Sequence, residues 1–327
     1  MTPLVDGFGR THTYVRIAVT DRCNCRCMYC MPPGGIAPRP KGDLLTFDEI
    51  ARVASICAGM GVTKIRLTGG EPLVRRDLPV LVRLLRGIPG IETVSMTTNG
   101  VLLAENARVL RDAGLASVNV SLDTLRPERF ERITGRPGPD GVVAGIDAAL
   151  DAGLDPVKVN MVVMGGVNDD ELPDFVEFAR HRPVEVRFIE FMPFRENGWA
   201  PAGMVPQAVM QERLARRYRL QPMNGGPGGK VRGFAVEGAA GSIGVIAPMS
   251  DHFCGACDRL RLTADGAVKP CLFDGGEVRL RDALRTGAGD DTVAAMIRSA
   301  VLAKPAGHPP AMALAAAGNR SMIDIGG

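Results

Sequence analysis

The sequence lacks any apolar run of the ~20 residues that a membrane-spanning helix needs. Its first ten residues, MTPLVDGFGR, lack the apolar core of a secretion signal. An excess of charge of one sign is also missing, because the 39 Lys and Arg residues are nearly balanced by 36 Asp and Glu residues, for a net charge of +3. We therefore expect no membrane, no secretion and no bulk binding of nucleic acid.

Lysine is scarce as well, since only six of the 39 basic residues are lysines. The positive charge is carried mostly by arginine, whose planar guanidinium suits bidentate recognition of phosphate groups. At 327 residues the chain is long enough for about two domains and a sizeable core.

The eight cysteines are unevenly distributed along the chain. Six fall into two triplets, Cys23, Cys27 and Cys30, and Cys254, Cys257 and Cys271, while Cys25 and Cys57 stand apart. With no secretion signal, we interpret the triplets as metal-bound thiolates in a reducing cytoplasm instead of disulfides. Cys57 lies in an apolar helical pattern and is predicted to be packed core.

The first triplet has the spacing C-x3-C-x2-C directly after an apolar strand. Three thiolates can hold three irons of a [4Fe–4S] cube and leave the fourth iron open to a small molecule, whereas a cluster for electron transfer alone normally takes four cysteines. The alternative is a zinc knuckle, which needs a fourth ligand such as Cys25 in a rearranged site. We interpret Cys25 as a thiol that is not a metal ligand.

The second triplet has the spacing C-x2-C-x13-C. It indicates another cluster with an open iron, or a zinc site completed by His252. Alternation along a strand places Arg259, Arg261 and Thr263 on one face. Two arginines on the same side, next to a cluster, predict a clamp for a phosphate-bearing substrate. The alternative is a solvated strand face.

Six strand-then-helix units precede the second triplet. The predicted strands span 14–19, 64–68, 92–97, 116–121, 156–163 and 184–191. The predicted helices lie at about 46–60, 77–86, 103–113, 127–133 with 140–152, 169–180 and 206–218. This order predicts an α/β fold with a parallel sheet and outer helices. Six units are too few for a closed eight-unit barrel, so we expect an open, partial (β/α)6 TIM-like barrel with its site at the strand ends.

Residues 223–229 break this pattern with a glycine-rich stretch. Lys230 follows Gly229, but Asn224 and Val231 do not match a P-loop. Short strands are predicted at about 231–236, 242–246, 259–263 and 267–271, and helices near 279–285 and 290–303. We predict a barrel domain at 1–225 and a smaller C-terminal domain, or a lid, at 226–327.

Several segments together carry a family resemblance. In order, they are TDRCNCRCMYCMP, KIRLTGGEPLVRRD, TTNG, SLDTL, HFCGACDRLRLTADG with CLF, and the terminal Ile-Gly-Gly. Over nearly its whole length the chain resembles the GTP 3′,8-cyclase family of the radical S-adenosylmethionine (SAM) superfamily, which begins molybdenum cofactor biosynthesis. The chain departs from the family at Cys25, where a large apolar residue is usual, at Asp258, where asparagine is common, and at 225–229.

The resemblance implies two [4Fe–4S] clusters, each held by one cysteine triplet, and SAM as the cofactor on the open iron of the first. It implies that SAM contacts come from Tyr29, Gly70, Glu71, Ser121 and Met192. Without the resemblance, the segment Gly69–Pro72, which contains Gly70 and Glu71, would be interpreted as a plain turn after a strand. Ser121 and Met192 would alone read as a strand-end cap and a core methionine.

The resemblance also implies GTP as the substrate, with the guanine N1/O6 edge on the open iron of the second cluster. Residues implied to bind GTP are Arg16, Arg66, Thr97, Lys158, Arg259, Leu260 and Arg261. The adenosyl radical would take hydrogen from ribose C3′, and C3′ would then bond to guanine C8. One further electron would quench the resulting radical, with Arg259 or Arg261 as the catalytic arginine that stabilises developing charge. The product would be 3′,8-cyclo-7,8-dihydro-GTP.

Further expectations concern partners and the chain terminus. The family Gly-Gly tail, here Gly326-Gly327, reaches into the active-site cavity. An unidentified electron donor and handoff of the product to cyclic pyranopterin monophosphate synthase are implied, and a homodimer is left open. Two other interpretations stay open at this stage: another radical SAM maturase with an auxiliary cluster, and a zinc-stapled binding protein that is not an enzyme.

Overall fold

The structure is a computed structural model that describes residues 2–32, 34–223, 230–273, 276–317 and 320–326. Its strands are β1 (Tyr14–Ala18), β2 (Lys64–Thr68), β3 (Thr93–Thr98), β4 (Ser117–Ser121), β5 (Val157–Val163), β6 (Glu185–Glu190), β7 (Leu220–Pro222), β8 (Arg232–Val236), β9 (Ser242–Ile246), β10 (Arg259–Leu262), β11 (Ala267–Lys269) and β12 (Val278–Arg279). Its helices are α1 (Phe47–Gly59), α2 (Leu78–Arg86), α3 (Leu103–Asp112), α4 (Pro127–Thr134), α5 (Asp140–Asp151), α6 (Leu172–Arg180), α7 (Gln207–Ala215), α8 (Arg281–Arg285), α9 (Asp290–Leu302), α10 (Ala311–Ala316) and α11 (Met322–Ile325). None of the helices within these ranges is long and apolar enough to cross a membrane.

Strands β1 to β6 lie side by side in chain order, and every neighbouring pair is parallel. Helices follow each of these strands, and the element ends lie within about three residues of the predicted ones. Right-handed strand–helix–strand crossovers are the usual way to connect parallel neighbours. The predicted partial (β/α)6 barrel is therefore confirmed.

Successive residues of each parallel strand point to opposite faces of the sheet. In β5, Val157, Val159 and Met161 are fully buried in the apolar core, whereas Lys158 and Asn160 line a cavity on the other face. The same alternation occurs in β1, β2 and β10. Apolar burial against the helices thus holds the sheet and at the same time turns every second, polar side chain towards the cavity.

The C-terminal strands extend the same sheet at both of its edges. Strand β10 pairs with β1 and β9 pairs with β6, both in parallel, and the full order is β12-β11-β10-β1-β2-β3-β4-β5-β6-β9-β8-β7. The C-terminal part therefore continues the barrel sheet on two sides. The glycine-rich break falls on 224–229, outside the described residues, and the division at 225/226 stays a prediction.

Glu190, at the end of β6, ties three parts of the fold together. Its carboxylate is fully buried and accepts hydrogen bonds from the backbone N–H groups of Gln207, Met249 and Ser250, at 2.9, 2.9 and 3.0 Å, and from the Ser250 hydroxyl. It thereby attaches α7 and the segment after β9 to the barrel. A buried carboxylate is tolerated here because all of its partners are donors.

We predict that Glu190→Ala lowers the free energy of unfolding by roughly 3 kcal/mol, because it leaves several buried donors without a partner. Urea denaturation followed by circular dichroism measures the change. The control is Glu212→Ala on α7, whose carboxylate is 62% exposed in its pair with Arg216, and we expect almost no loss there. Equal stability of the two variants would contradict the tethering role of Glu190.

Candidate active site

A cavity of about 760 Å³ lies on the polar face of the sheet. Most of the residues that the sequence singled out line it: Arg16, Cys23, Cys27, Tyr29, Cys30, Arg66, Gly70, Thr97, Ser121, Lys158, Met192, Arg259 and Arg261. Leu260 instead packs in the apolar core with only 2% of its surface exposed, so it can reach a substrate only through its backbone. Glu71 and the second cysteine triplet lie next to the cavity lining and not in it.

The cysteine loop is attached to the turn after β2 by backbone pairing. Gly70 N–H donates to Thr20 O and Glu71 N–H donates to Arg22 O, both at 2.8 Å. A Cβ atom on Gly69 would lie 2.4 Å from Thr20 O, and one on Gly70 would lie 2.2 Å from Arg22 O. The glycine pair is therefore required for this approach, whatever its contact with a ligand.

The thiols of Cys23, Cys27 and Cys30 face the cavity together. A tight turn brings the last two close, because the N–H of Cys30 donates to Cys27 O at 3.0 Å. Cys25 is 3% exposed, and its thiol contacts those of both Cys23 and Cys27. Cys57 is buried in the core, as predicted, and burial raises the pKa of its thiol to about 12.

Glu71 uses its carboxylate inside the protein. It is fully buried and accepts from Leu73 N–H at 3.0 Å, the Thr98 hydroxyl at 2.7 Å and Asn99 N–H at 2.6 Å. Burial raises its pKa to about 6 in spite of these hydrogen bonds. The side chain thus fixes the turn after β2 to the turn after β3, and the cavity surface here comes from Gly69 and Gly70.

Tyr29 is held by Asp123 at the end of β4. Its hydroxyl donates to Asp123 Oδ2 at 2.7 Å, while Val162 N–H donates to Asp123 Oδ1 at 2.8 Å. Burial raises the pKa of Asp123 to about 6 and also raises the pKa of Tyr29 well above its ordinary value. Sequence reasoning had assigned no role to Asp123, although its place after a strand end was a usable signal.

The second triplet borders the same cavity through its neighbours Phe253, Asp258 and Leu272. Lys304 is 3% exposed and places its ammonium 3.4 Å from Cys257 Sγ. Burial raises the pKa of Cys257, but Lys304 and Arg259 together outweigh that effect, and the pKa is lowered.

Cations occupy matching positions on three adjacent parallel strands. Arg16 on β1 is paired in register with Arg66 on β2 and with Arg261 on β10. Two residues earlier, Tyr14 is paired in the same way with Lys64 and Arg259. All six side chains line the cavity, and we call them the two cation rows. Burial lowers the pKa of Arg16 to about 9 and that of Arg261 to about 10, the neighbouring cations adding to the effect.

Sequence reasoning missed several polar residues that also line the cavity, among them Tyr14, Lys64, Arg187 and Lys230. Tyr14, Lys64 and Arg187 lie at alternate positions of predicted strands, so the period of two could have found them. Lys230 could not be found in this way. Its ammonium reaches the cavity through an ion pair with Asp258, which lies 28 residues away in the sequence. Lys158 faces Glu185 at 3.6 Å, and burial lowers its pKa to about 8.

The C-terminal segment reaches the cation rows. The carbonyl oxygen of Gly326 accepts from Arg261 Nη1 at 3.0 Å and from the Thr68 hydroxyl at 3.4 Å. Gly326 has φ of 73°, and a Cβ there would lie 2.7 Å from Ala18 Cβ. Gly327, the other half of the predicted tail, lies outside the described residues.

The donor sets fit two iron–sulfur clusters. The thiols of the first triplet face one cavity, and those of the second are close enough to influence each other's charge. Thiolate sulfur is the usual protein ligand of such clusters. Within the described ranges, no group of three or more His, Cys, Asp or Glu side chains is placed to hold a single metal ion. Ligands of a cube of four irons stand farther apart than those of one ion.

Two family models match the chain. Residues 17–179 match the radical SAM superfamily, and residues 184–310 match the Molybdenum Cofactor Synthesis C family. The mitochondrial GTP 3′,8-cyclase of Arabidopsis thaliana is 47% identical over 325 residues, which is 99% of this chain and 83% of that protein. The GTP 3′,8-cyclase of Moorella thermoacetica is 48% identical over 304 residues, or 93% and 94% of the two chains.

Solved structures support the fold alone. The crystal structure of SuiB from Streptococcus suis superposes with a TM-score of 0.59 and 14% identity, over 89% of this chain and 69% of that one.

We predict that Gly326→Ala detaches the C-terminal segment from Arg261, because the added methyl group collides with Ala18 and the positive φ strains an alanine. Hydrogen–deuterium exchange of the peptide from residue 320 onwards should then rise roughly tenfold or more, as expected for a local opening. The control is Gly287→Ala, which has the same strain at φ of 83° but open space around its Cβ. Unchanged exchange in Gly326→Ala would contradict the docking of this segment.

Proposed function

This chain belongs to the GTP 3′,8-cyclase family of the radical SAM superfamily, and on that premise we propose that the cavity on the sheet is its GTP-converting site. The enzyme is a lyase of molybdenum cofactor biosynthesis, and its cofactors are SAM and two [4Fe–4S] clusters. When bound, they supply the 5′-deoxyadenosyl radical that takes the ribose 3′ hydrogen of GTP, so that C3′ bonds to guanine C8 and 3′,8-cyclo-7,8-dihydro-GTP forms. One observation carries the proposal: the cysteine loop, with Cys23, Cys25, Cys27 and Cys30, and the two cation rows line the same cavity.

The first cluster is held by Cys23, Cys27 and Cys30, and the second by Cys254, Cys257 and Cys271. The pairing of Gly70 and Glu71 with the start of the cysteine loop orients the first triplet towards the cavity. Lys304 adds a positive charge next to Cys257, which favours the thiolate form that iron needs.

SAM is bound on the side of the first triplet. The backbone at Gly70 forms the surface that approaches its amino group, and Ser121 offers a hydroxyl towards its carboxylate. Tyr29 and Met192 lie against the adenine, with Tyr29 held in place by Asp123. Glu71 acts through the turn that it fixes, because its own oxygens are already occupied by three donors.

GTP is bound by the cation rows. Its triphosphate carries several negative charges, and Arg16, Arg66 and Arg261 present guanidinium groups at one level of the sheet. The Arg259 side chain lines the cavity as well, and its buried Nε–H has no acceptor among the described residues. Thr97 and Lys158 extend the contacts across β3 and β5.

Arg259 and Arg261 are also the residues that we propose for stabilising charge as the last electron arrives. Both lie on β10, between Cys257 and Cys271 of the second triplet, and both line the cavity. Preorganised cations at the place where charge develops are an effective form of catalysis, since no reorganisation is needed during the step.

The proposal also includes partners of the enzyme. An electron donor that we do not identify would reduce the clusters, and the product would pass to cyclic pyranopterin monophosphate synthase. A reducing cytoplasm suits the exposed thiolate chemistry. A homodimer stays open.

The decisive experiment measures 5′-deoxyadenosine released by anaerobically reconstituted protein from SAM and a strong reductant, with and without GTP. We expect release that rises with GTP, together with a new nucleotide. Iron analysis should give about eight irons per chain, and about four in Cys27→Ala, which should no longer cleave SAM. Release that ignores GTP would point to another radical SAM substrate, and zinc without sulfide would refute the enzyme.

A second prediction separates substrate binding from radical generation. Arg259→Ala should lower nucleotide product roughly 100-fold, because it removes a preorganised cation, while release of 5′-deoxyadenosine falls much less. Arg232→Ala is the matched control, since Arg232 is 56% exposed and pairs with Asp251. An equal loss of product and 5′-deoxyadenosine in Arg259→Ala would argue against its place on the substrate side.

A further inference from the structure

Tyr14 is an exception among the residues of the cation rows. The six side chains on this face of β10, β1 and β2 are Arg259, Tyr14 and Lys64 at one level, and Arg261, Arg16 and Arg66 at the next. Five of them are cations, and only the phenol of Tyr14 can become an anion. It is 8% exposed and lines the cavity. The reaction described above assigns it no role.

The contacts of Tyr14 place its oxygen at the centre of the positive charge. Arg66 donates from Nε to Tyr14 Oη at 2.5 Å, while its Nη1 is directed at Met96 O and the Thr97 hydroxyl at 3.4 and 3.5 Å. The Lys64 ammonium lies 5.3 Å from the centre of the Tyr14 ring, within the range of a cation–π contact. The phenol therefore fixes the orientation of Arg66 from its inner nitrogen and leaves the outer edge to the cavity.

We infer that Tyr14 is a positioning residue of the GTP site, whose phenol oxygen holds Arg66 and serves as the counter-ion of the cation rows until the triphosphate replaces it. The inference rests on the proposed use of this cavity by GTP. Without substrate, five like charges at neighbouring positions repel each other, and an internal anion reduces that repulsion. With substrate, phosphate oxygens supply the negative charge, and the phenol, once protonated, can donate a hydrogen bond to one of them.

Proton uptake follows from this exchange. Burial raises the pKa of Tyr14, but Arg66, Arg16 and Arg259 outweigh it and lower the pKa to about 7. Bound phosphate cancels the field of these arginines, so the pKa of Tyr14 must rise on binding and the phenolate takes up a proton. By linkage, the affinity for GTP falls as the pH rises above about 7.

Other groups face Tyr14 and contribute to the same linkage. They are Arg16 on its own strand, Lys64 and Arg66 on β2, Arg259 and Arg261 on β10, and Asp258 just before β10, whose carbonyl faces the Tyr14 N–H at 3.4 Å. Burial lowers the pKa of Lys64, and it lowers that of Lys158 to about 8, so Lys158 can also take up a proton when phosphate arrives. The share of Tyr14 must therefore be isolated by substitution.

The chain offers a direct optical readout. It contains three tyrosines, and the pKa values of Tyr29 and Tyr218 are raised, chiefly by burial. Near pH 8, the near-ultraviolet tyrosinate band should come from Tyr14 alone. GTP added to the cluster-loaded protein without SAM, so that no turnover occurs, should reduce this band.

The experiment combines that absorbance with calorimetry of GTP binding in two buffers of different ionisation enthalpy, between about pH 7.5 and 8.5, where the triphosphate is fully ionised. Tyr14→Phe keeps the ring and removes the oxygen. We expect GTP binding to this variant to take up fewer protons than binding to the wild type, by up to one proton. The Kd of the variant should also rise less steeply with pH, and the difference in slope should be up to about tenfold per pH unit. Tyr218→Phe, whose hydroxyl contacts Pro173 O and Glu177 away from the cavity lining, should behave as the wild type.

The outcomes distinguish a failure of the proposed function from a failure of the role of Tyr14 alone. A wild type that binds no GTP overturns the proposed function and the role of Tyr14 with it. A wild type that binds GTP without loss of the tyrosinate band, or a Tyr14→Phe protein with the same proton uptake and the same pH slope, overturns the role of Tyr14 alone. The absorbance of the wild type decides the case even if the variant does not fold.

Discussion

The concentration of positive charge on one face of three parallel strands is the constraint on which the site depends. Matching register brings Arg16, Arg66 and Arg261 to the same level of the sheet, where their mutual repulsion opposes folding. The apolar residues between them pack into the core and offset that cost. A polyanion that binds the folded protein alone stabilises it further by mass action. In the proposed function, the substrate triphosphate supplies this negative charge.

A second constraint is the backbone pairing between the cysteine loop and the turn after β2. This loop with several thiols has no regular structure of its own, and backbone hydrogen bonds to Gly70 and Glu71 hold it in place. The buried carboxylate of Glu71 then connects that turn to the next one, at Thr98 and Asn99. Three successive strand ends are locked together, so the thiols of the first triplet are presented to the cavity by the rigid part of the fold.

Two of the three departures from the family pattern have structural accounts, while the third, at 225–229, lies outside the described residues. Asp258, where asparagine is common, forms an ion pair with Lys230 across the cavity lining. The pair fastens the chain to β10 directly after the segment 224–229. Cys25 is buried and its thiol contacts Cys23 and Cys27, so it fills the space of an apolar side chain while remaining a thiol among cluster ligands.

Local pattern was enough to predict β1 to β6, the helices between them, their parallel order and the spacing of both cysteine triplets, because periods of two and 3.6 and short ligand spacings are properties of the sequence itself. It missed β7 and β12, which have three and two residues and are too short to show a period. Only the tertiary structure decided what depends on distant partners. It joined β9 and β10 to opposite edges of one sheet, turned the carboxylate of Glu71 inwards, sent Leu260 to the core and put Tyr14 among the cations. Register between strands far apart in sequence sets those relations, and no single segment contains that information.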